Sequence, residues 1–229
     1  MYRGVAVLVV SLLLSACGHG PTLSLSDTVG GRLLVPPRAG IKVGSLYYAR
    51  EEPTRSLERP ANLIRLCDAS LAPYGIAPNG PNPSADIDLL RKFELSGSLE
   101  GIKNDFFSLG LSGSLSDYFG FTLTNATYTD ISESQANTIF NSRAFKSDCK
   151  EWRGNVQGQN WGVYQVQTIY EGTLKFERKP INFSLDANAS AKIASFEPKL
   201  KLALKREANT QLSGKGLVAV FVPIYRNQD

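Results

Sequence analysis

Ile181-Asn182-Phe183-Ser184-Leu185-Asp186-Ala187-Asn188-Ala189-Ser190-Ala191-Lys192-Ile193 is the most regular stretch of the chain, with an apolar residue at every odd position and a polar one at every even position. A period of two is the signature of a half-buried strand. Leu200, Leu202 and Leu204 continue the alternation and suggest an antiparallel neighbour. Thirteen alternating residues also exceed the roughly 9–11 that a tilted transmembrane strand requires. Ala187, Ala189 and Ala191 offer lipid tails little to contact, however, and Lys199, Lys201 and Lys205 crowd the adjoining segment. The expectation is a soluble sheet whose odd face from Ile181 to Ile193 is buried, with Ala189 inside and Asn188 outside.

Other segments point the same way. Phe93, Leu95, Gly97 and Leu99 alternate with polar residues, as do Phe107, Leu109, Leu111 and Leu115, so the two LSGSL-containing segments read as a hairpin joined by GIKND. SLYYAREEP, FGFTLTNATYTDI, GVYQVQTIYEGTLKFERK and GLVAVFVPIY add strands, whereas APNGPNPS reads as a surface loop and NLIRLCDASLAPYGI is ambiguous. Ser132-Glu133-Ser134-Gln135 has the form of a capping box, which predicts one main helix over about 133–149 with Ala136, Ile139, Phe140 and Ala144 on one face. The expected fold class is β-rich α+β, an antiparallel sheet or partly closed barrel with that single dominant helix.

The N-terminus carries an address. Val5–Leu14 is half the roughly 20 apolar residues that a spanning helix needs, and it sits between Arg3 and a small-residue site, the layout of a secretory signal peptide. Leu14-Ser15-Ala16-Cys17 resembles the lipobox of bacterial lipoproteins. The resemblance covers these residues alone. It implies cleavage before Cys17, acylation of that cysteine and attachment to the membrane through the lipid rather than by a spanning segment. Gly18 in place of an aspartate resembles outer-membrane sorting in a Gram-negative host, facing the periplasm or the surface. The organisation expected is a signal peptide over 1–16, a lipidated cysteine and tether over 17–44, rich in Pro21, Gly30, Gly31, Pro36, Pro37 and Gly40, and one β-rich domain over 45–229.

Removal of residues 1–16 takes away Arg3 and no acid, leaving 24 basic against 21 acidic side chains, so no basic footprint for nucleic acid is expected. Cys67 and Cys149 stand 82 positions apart, and in an oxidising envelope they are expected to pair, with two buried free thiols or a reactive site as the alternatives. His19 is the single histidine and lies beside the anchor, which removes histidine-based triads. Ser147-Asp148-Cys149-Lys150 fits S-x-x-K without a companion K-T-G. Asp86 and Asp88 lack further oxygen ligands, and Gly154, Gly158 and Gly162 lack a following helix, so no catalytic, metal or cofactor site is nominated.

CKEWRGNVQGQNWGVY is the remaining constellation. Trp152, Arg153, Trp161 and Tyr164 are interleaved with amides, a composition suited either to stacking on the sugar rings of peptidoglycan or docking a protein, or to capping the core where helix meets strand. The expected function is that of a lipid-anchored, non-enzymatic envelope protein that binds another envelope component in assembly or scaffolding. The alternative is an apolar-ligand carrier or membrane-inserting β module.

Overall fold

The computed structural model describes residues 33–35, 41–49, 64–68, 71–95, 97, 99–142, 162–180, 187–208 and 211–224. Its spine is a single long strand. The strands in chain order are β1 (Leu33–Val35), β2 (Leu46–Ala49), β3 (Ile64–Cys67), β4 (Asn79–Pro83), β5 (Ile87–Asp88), β6 (Phe119–Asp130), β7 (Gly162–Arg178) and β8 (Gly214–Ile224). The helices are α1 (Leu89–Leu95), α2 (Glu100–Ser108), α3 (Leu115–Tyr118), α4 (Glu133–Asn141) and α5 (Ala187–Ala208). One side of β7 is lined by β8, from Val163 opposite Ile224 to Leu174 opposite Gly214. Its other side changes neighbour part-way: β2 pairs with Gly162–Gln165, then β6 pairs with Thr168–Arg178.

β1 extends the sheet beyond β8, β3 extends it beyond β2, and β4 and β5 lie along the far side of β6, every pair antiparallel. The sheet is open, so the partly closed barrel is corrected: among the described residues the path ends at β1 and at β3, and these do not pair. APNGPNPS is likewise not a free loop, because Asn79–Pro83 forms the edge strand β4. Its prolines are tolerated there because an edge strand need not donate outward.

The largest correction concerns residues 187–193, because 181–186 of the alternating stretch lie outside the described residues. Ala187–Ala208 is a helix, the longest in the described chain, and among the described residues five α-helices replace the one main helix expected. Alternation misled because it counted alanine as a strand residue. Over 187–208 the only β-branched residue is Ile193, whereas alanine, lysine and leucine dominate, and these are strong helix formers with little preference for a pleated surface. Ile193, Phe196, Leu200, Leu204 and Ala208 are buried at spacings of three and four, while Leu202, which a strand would bury with Leu200 and Leu204, is exposed.

The LSGSL hairpin is overturned for the same reason. α1, α2 and α3 occupy that region, and the breaks between them fall at Gly97 and Gly110, whose φ values of 72° and 75° stop a helix at little cost only in glycine. The capping box at Ser132 does open α4: the Gln135 N–H donates to Ser132 Oγ and Gln135 Oε1 accepts from the Ser132 N–H. That helix ends at Asn141, not near 149.

A bulge at Gln167 shifts the alternation of β7 and divides its apolar residues between two cores. Tyr170 and Leu174 join Val218 and Val220 of β8 beneath α1, α2, α3 and α5. Tyr164, Val166 and Ile169 join Ala219 and Phe221, together with Ile131 and with Ala136 and Ile139 of α4, in a smaller core. Successive strand residues point to opposite faces, so the sheet carries a core on each side.

Candidate functional site

Cys17, His19, Ser147, Cys149, Lys150, Trp152, Arg153 and Trp161 lie outside the described residues. Tyr164 is the one member of the aromatic group within them. It stands opposite Tyr47 on β2 and is buried in the smaller core, where Tyr47 meets Phe221 edge-on at 5.1 Å. A ring held this way is a packing element, not one displayed for stacking on a ligand.

Cys67 closes β3 opposite Leu46, half-buried, and is disulfide-bonded. No disulfide joins two described residues, and Cys149, the partner expected from the sequence, lies outside them. The expected staple at the end of the helix is corrected, since α4 stops at Asn141, eight residues before Cys149. Asp86 and Asp88 serve the backbone. Asp86 Oδ1 accepts from the N–H of Asn125, the non-glycine residue with positive φ in β6, and Asp88 Oδ1 accepts from Arg91 N–H in the first turn of α1, each at 3.0 Å. Among the described residues no three His, Cys, Asp or Glu side chains gather as metal ligands do.

Two polar clusters stand out instead. The first lies where β7 changes neighbours. Gly44 N–H donates to Val166 O at 2.7 Å, Val166 N–H to Ser45 O at 3.0 Å, and one residue later Ile131 N–H donates to Gln167 O at 3.0 Å. The bulge thus passes the ladder from the segment before β2 to the segment after β6. Ser45, Gln165, Gln167 and Thr168 are all buried here. Gln165 Nε2 donates to Gly44 O at 3.3 Å and Ser45 Oγ to Asp68 Oδ1 at 3.4 Å, while Asp68 also holds Arg65. Asp130 Oδ1 and Gln167 Oε1 are buried without a hydrogen-bond partner. The seam therefore offers acceptor oxygens to a donor such as a bound water, and no nucleophile–base pair.

The second cluster binds helices to the sheet. The Glu94 carboxylate of α1 accepts the N–H groups of Leu115 at 2.6 Å and Ser116 at 3.2 Å and the Ser116 hydroxyl at 2.6 Å, which satisfies the free donors that open α3. Lys179 Nζ donates to Ser116 O at 2.6 Å, tying in the chain just beyond β7. Ser114 N–H donates to Asp117 Oδ2 at 2.7 Å, and this bond to Ser114 holds the Asp117 carboxyl below its ordinary value. The Glu94 and Asp117 carboxylates are thus spent on the start of α3, and Lys179 on a carbonyl within it. Ser114-Leu115-Ser116-Asp117 has the same S-x-x-acid spacing as other capping boxes, and that signal was available in the sequence.

No protein-family model, curated protein or solved structure matches this chain.

Proposed function

We propose that the chain is a lipid-anchored, non-enzymatic protein of the bacterial cell envelope, whose domain binds another envelope component, protein or cell-wall glycan, in assembly or scaffolding. The observation that carries this reading is the order of the first seventeen residues: Arg3, the short apolar run Val5–Leu14, then Leu14-Ser15-Ala16-Cys17. Two features of the domain agree with a binding role. Its described polar clusters cap helices and bridge strands, which gives a domain a fixed surface. Trp161 directly precedes Gly162 in the sequence, and β7 begins with Gly162 paired to Ala49 of β2 and Val163 paired to Ile224 of β8.

The alternating stretch that suggested a membrane-inserting alternative is helical from Ala187 onward. Among the described residues no helix is long and apolar enough to cross a membrane. The test is metabolic labelling with palmitate. Label is expected in the wild type and not in Cys17→Ala, and label retained by the variant overturns the reading.

A further inference from the structure

α5 has two faces of opposite chemistry. The buried face carries Ile193, Phe196, Leu200 and Leu204. Turning by 100° per residue places Lys192, Pro198, Lys199, Leu202, Lys205 and Arg206 within one stripe on the other side. Pro198, Lys199, Lys205 and Arg206 are exposed, and Leu202, at 51% exposure, sits at the centre with basic residues three and four positions from it. Every charged side chain described on this stripe is basic. Glu197 lies off it, turned toward the sheet and held by Arg178 and by Lys201. Asp105 of α2 engages Lys199 at 2.5 Å, whereas no described carboxylate pairs with Lys192, Lys205 or Arg206.

We infer that this face of α5 docks on a membrane surface bearing anionic lipid headgroups, with Leu202 entering the headgroup layer. The inference rests on the lipid-anchor reading, because anchoring brings such a surface within reach. Leu33, where β1 begins, is sixteen residues from Cys17, so the domain can stand no farther than about 58 Å from the anchor even with that segment at full extension. α5 is itself about 33 Å long. β1 lies on β8, the strand that follows α5 in the chain. A stripe of like charge around one exposed leucine on a helix face complements a delocalised anionic surface, and basic groups near such a surface are attracted together within a Debye length.

The full chain as processed by its host is mixed with phosphatidylcholine vesicles, with or without phosphatidylglycerol, and its lysines are labelled with an amine-reactive reagent. Lys192 and Lys205 are expected to label about threefold more slowly on the anionic vesicles, with the difference abolished by high salt and by Leu202→Ser combined with Arg206→Glu. Lys175, on the opposite face of the sheet from Leu174 and Phe176, is expected to label equally on both. Flotation with vesicles at high salt reads the anchor separately. A chain that floats with both kinds of vesicle while its α5 lysines label equally overturns the docking and leaves the anchor standing. Flotation with anionic vesicles alone, released by salt, supports the docking and overturns the anchor. Failure to float with either overturns both. Protection that requires an added acidic protein and is indifferent to headgroup charge assigns the face to a protein partner and overturns the lipid inference.

Discussion

Phe106 and Phe196 meet edge-on, their ring centroids 5.2 Å apart and their planes inclined at 60°. One residue belongs to α2 and the other to α5, and Phe106 makes a second edge contact at 5.2 Å with Tyr118 of α3. Three helices that the alternating pattern concealed are thus joined at one ring. Phe196→Ala is expected to lower the stability of the domain by about 3–5 kcal/mol, because it removes a buried ring and leaves a cavity among neighbours fixed by the sheet. A double-mutant cycle with Phe106→Ala is expected to return about 0.5–1.5 kcal/mol of coupling. Urea unfolding measures both, and a loss under about 1 kcal/mol would place the α2–α5 contact outside the core.

Which parts of this fold were legible follows from chemistry. β6, β7 and β8 are rich in threonine, valine and aromatics, where propensity and alternation agree, and their extents were readable. The start of α4 was readable because a capping box is a local interaction between residues three apart. Its end was not, since no glycine or proline follows Asn141 to mark a stop. α2 and α5 failed because serine, glycine and alanine fit a two-residue period as well as a helical one, and only the long-range contacts of Phe106 and Phe196 decide between them. Of the candidate site, Tyr164 illustrates the limit: its neighbours in sequence are amides and a tryptophan, but its neighbours in space are the apolar residues of the smaller core.

Gly172 faces Gly216 across β7 and β8. A β-carbon at Gly172 would stand 2.7 Å from Thr124 O and 3.2 Å from Ala126 Cα, both backbone atoms of the β6 bulge, so no side-chain rotation relieves the contact. Gly172→Ala is expected to cost about 1–3 kcal/mol. Gly101, inside α2 with nothing within 4 Å of its added carbon, is expected to respond in the opposite sense, Gly101→Ala gaining about 0.5–1 kcal/mol. Thermal unfolding of the two variants side by side distinguishes steric crowding from loss of backbone freedom.

Glu197 links α5 to β7. The hydrogen bond from Lys201, at 2.7 Å, and that from Arg178 Nε, at 3.0 Å, hold its carboxyl below the ordinary 4.5. A carboxylate with a lowered folded pKa stabilises the fold above its unfolded pKa, and the contribution disappears as pH falls through the folded value. Because Arg178 and Lys201 are partly exposed, solvent screening limits the gain to about 0.5–1 kcal/mol near neutrality. The stability of the wild type is therefore expected to exceed that of Glu197→Gln at pH 7 and to converge on it as the pH is lowered below 4.5. Urea midpoints across that range test the sign, and a gap that widens in acid contradicts it.

The helical period of α5 itself can be read by substitution. A strand over this segment would bury Leu200, Leu202 and Leu204 together, since alternate residues share a face, and would bury Ala191 beside Ile193. The helix buries Leu200, Leu204 and Ile193 and leaves Leu202 and Ala191 exposed. Leu200→Ala and Leu204→Ala are each expected to cost about 2–5 kcal/mol, because both side chains are fully enclosed beneath the sheet. Leu202→Ala is expected to stay within about 0.5 kcal/mol of the wild type, as a surface change that also trades one good helix former for a better one. Ala191→Asp is expected to be tolerated where Ile193→Asp unfolds the domain, since only the second buries an unpaired charge. Chemical denaturation of these five variants separates the two periods: losses at every second residue would restore the strand, whereas losses at 193, 200 and 204 alone follow the turn of a helix whose outward face is free for a surface.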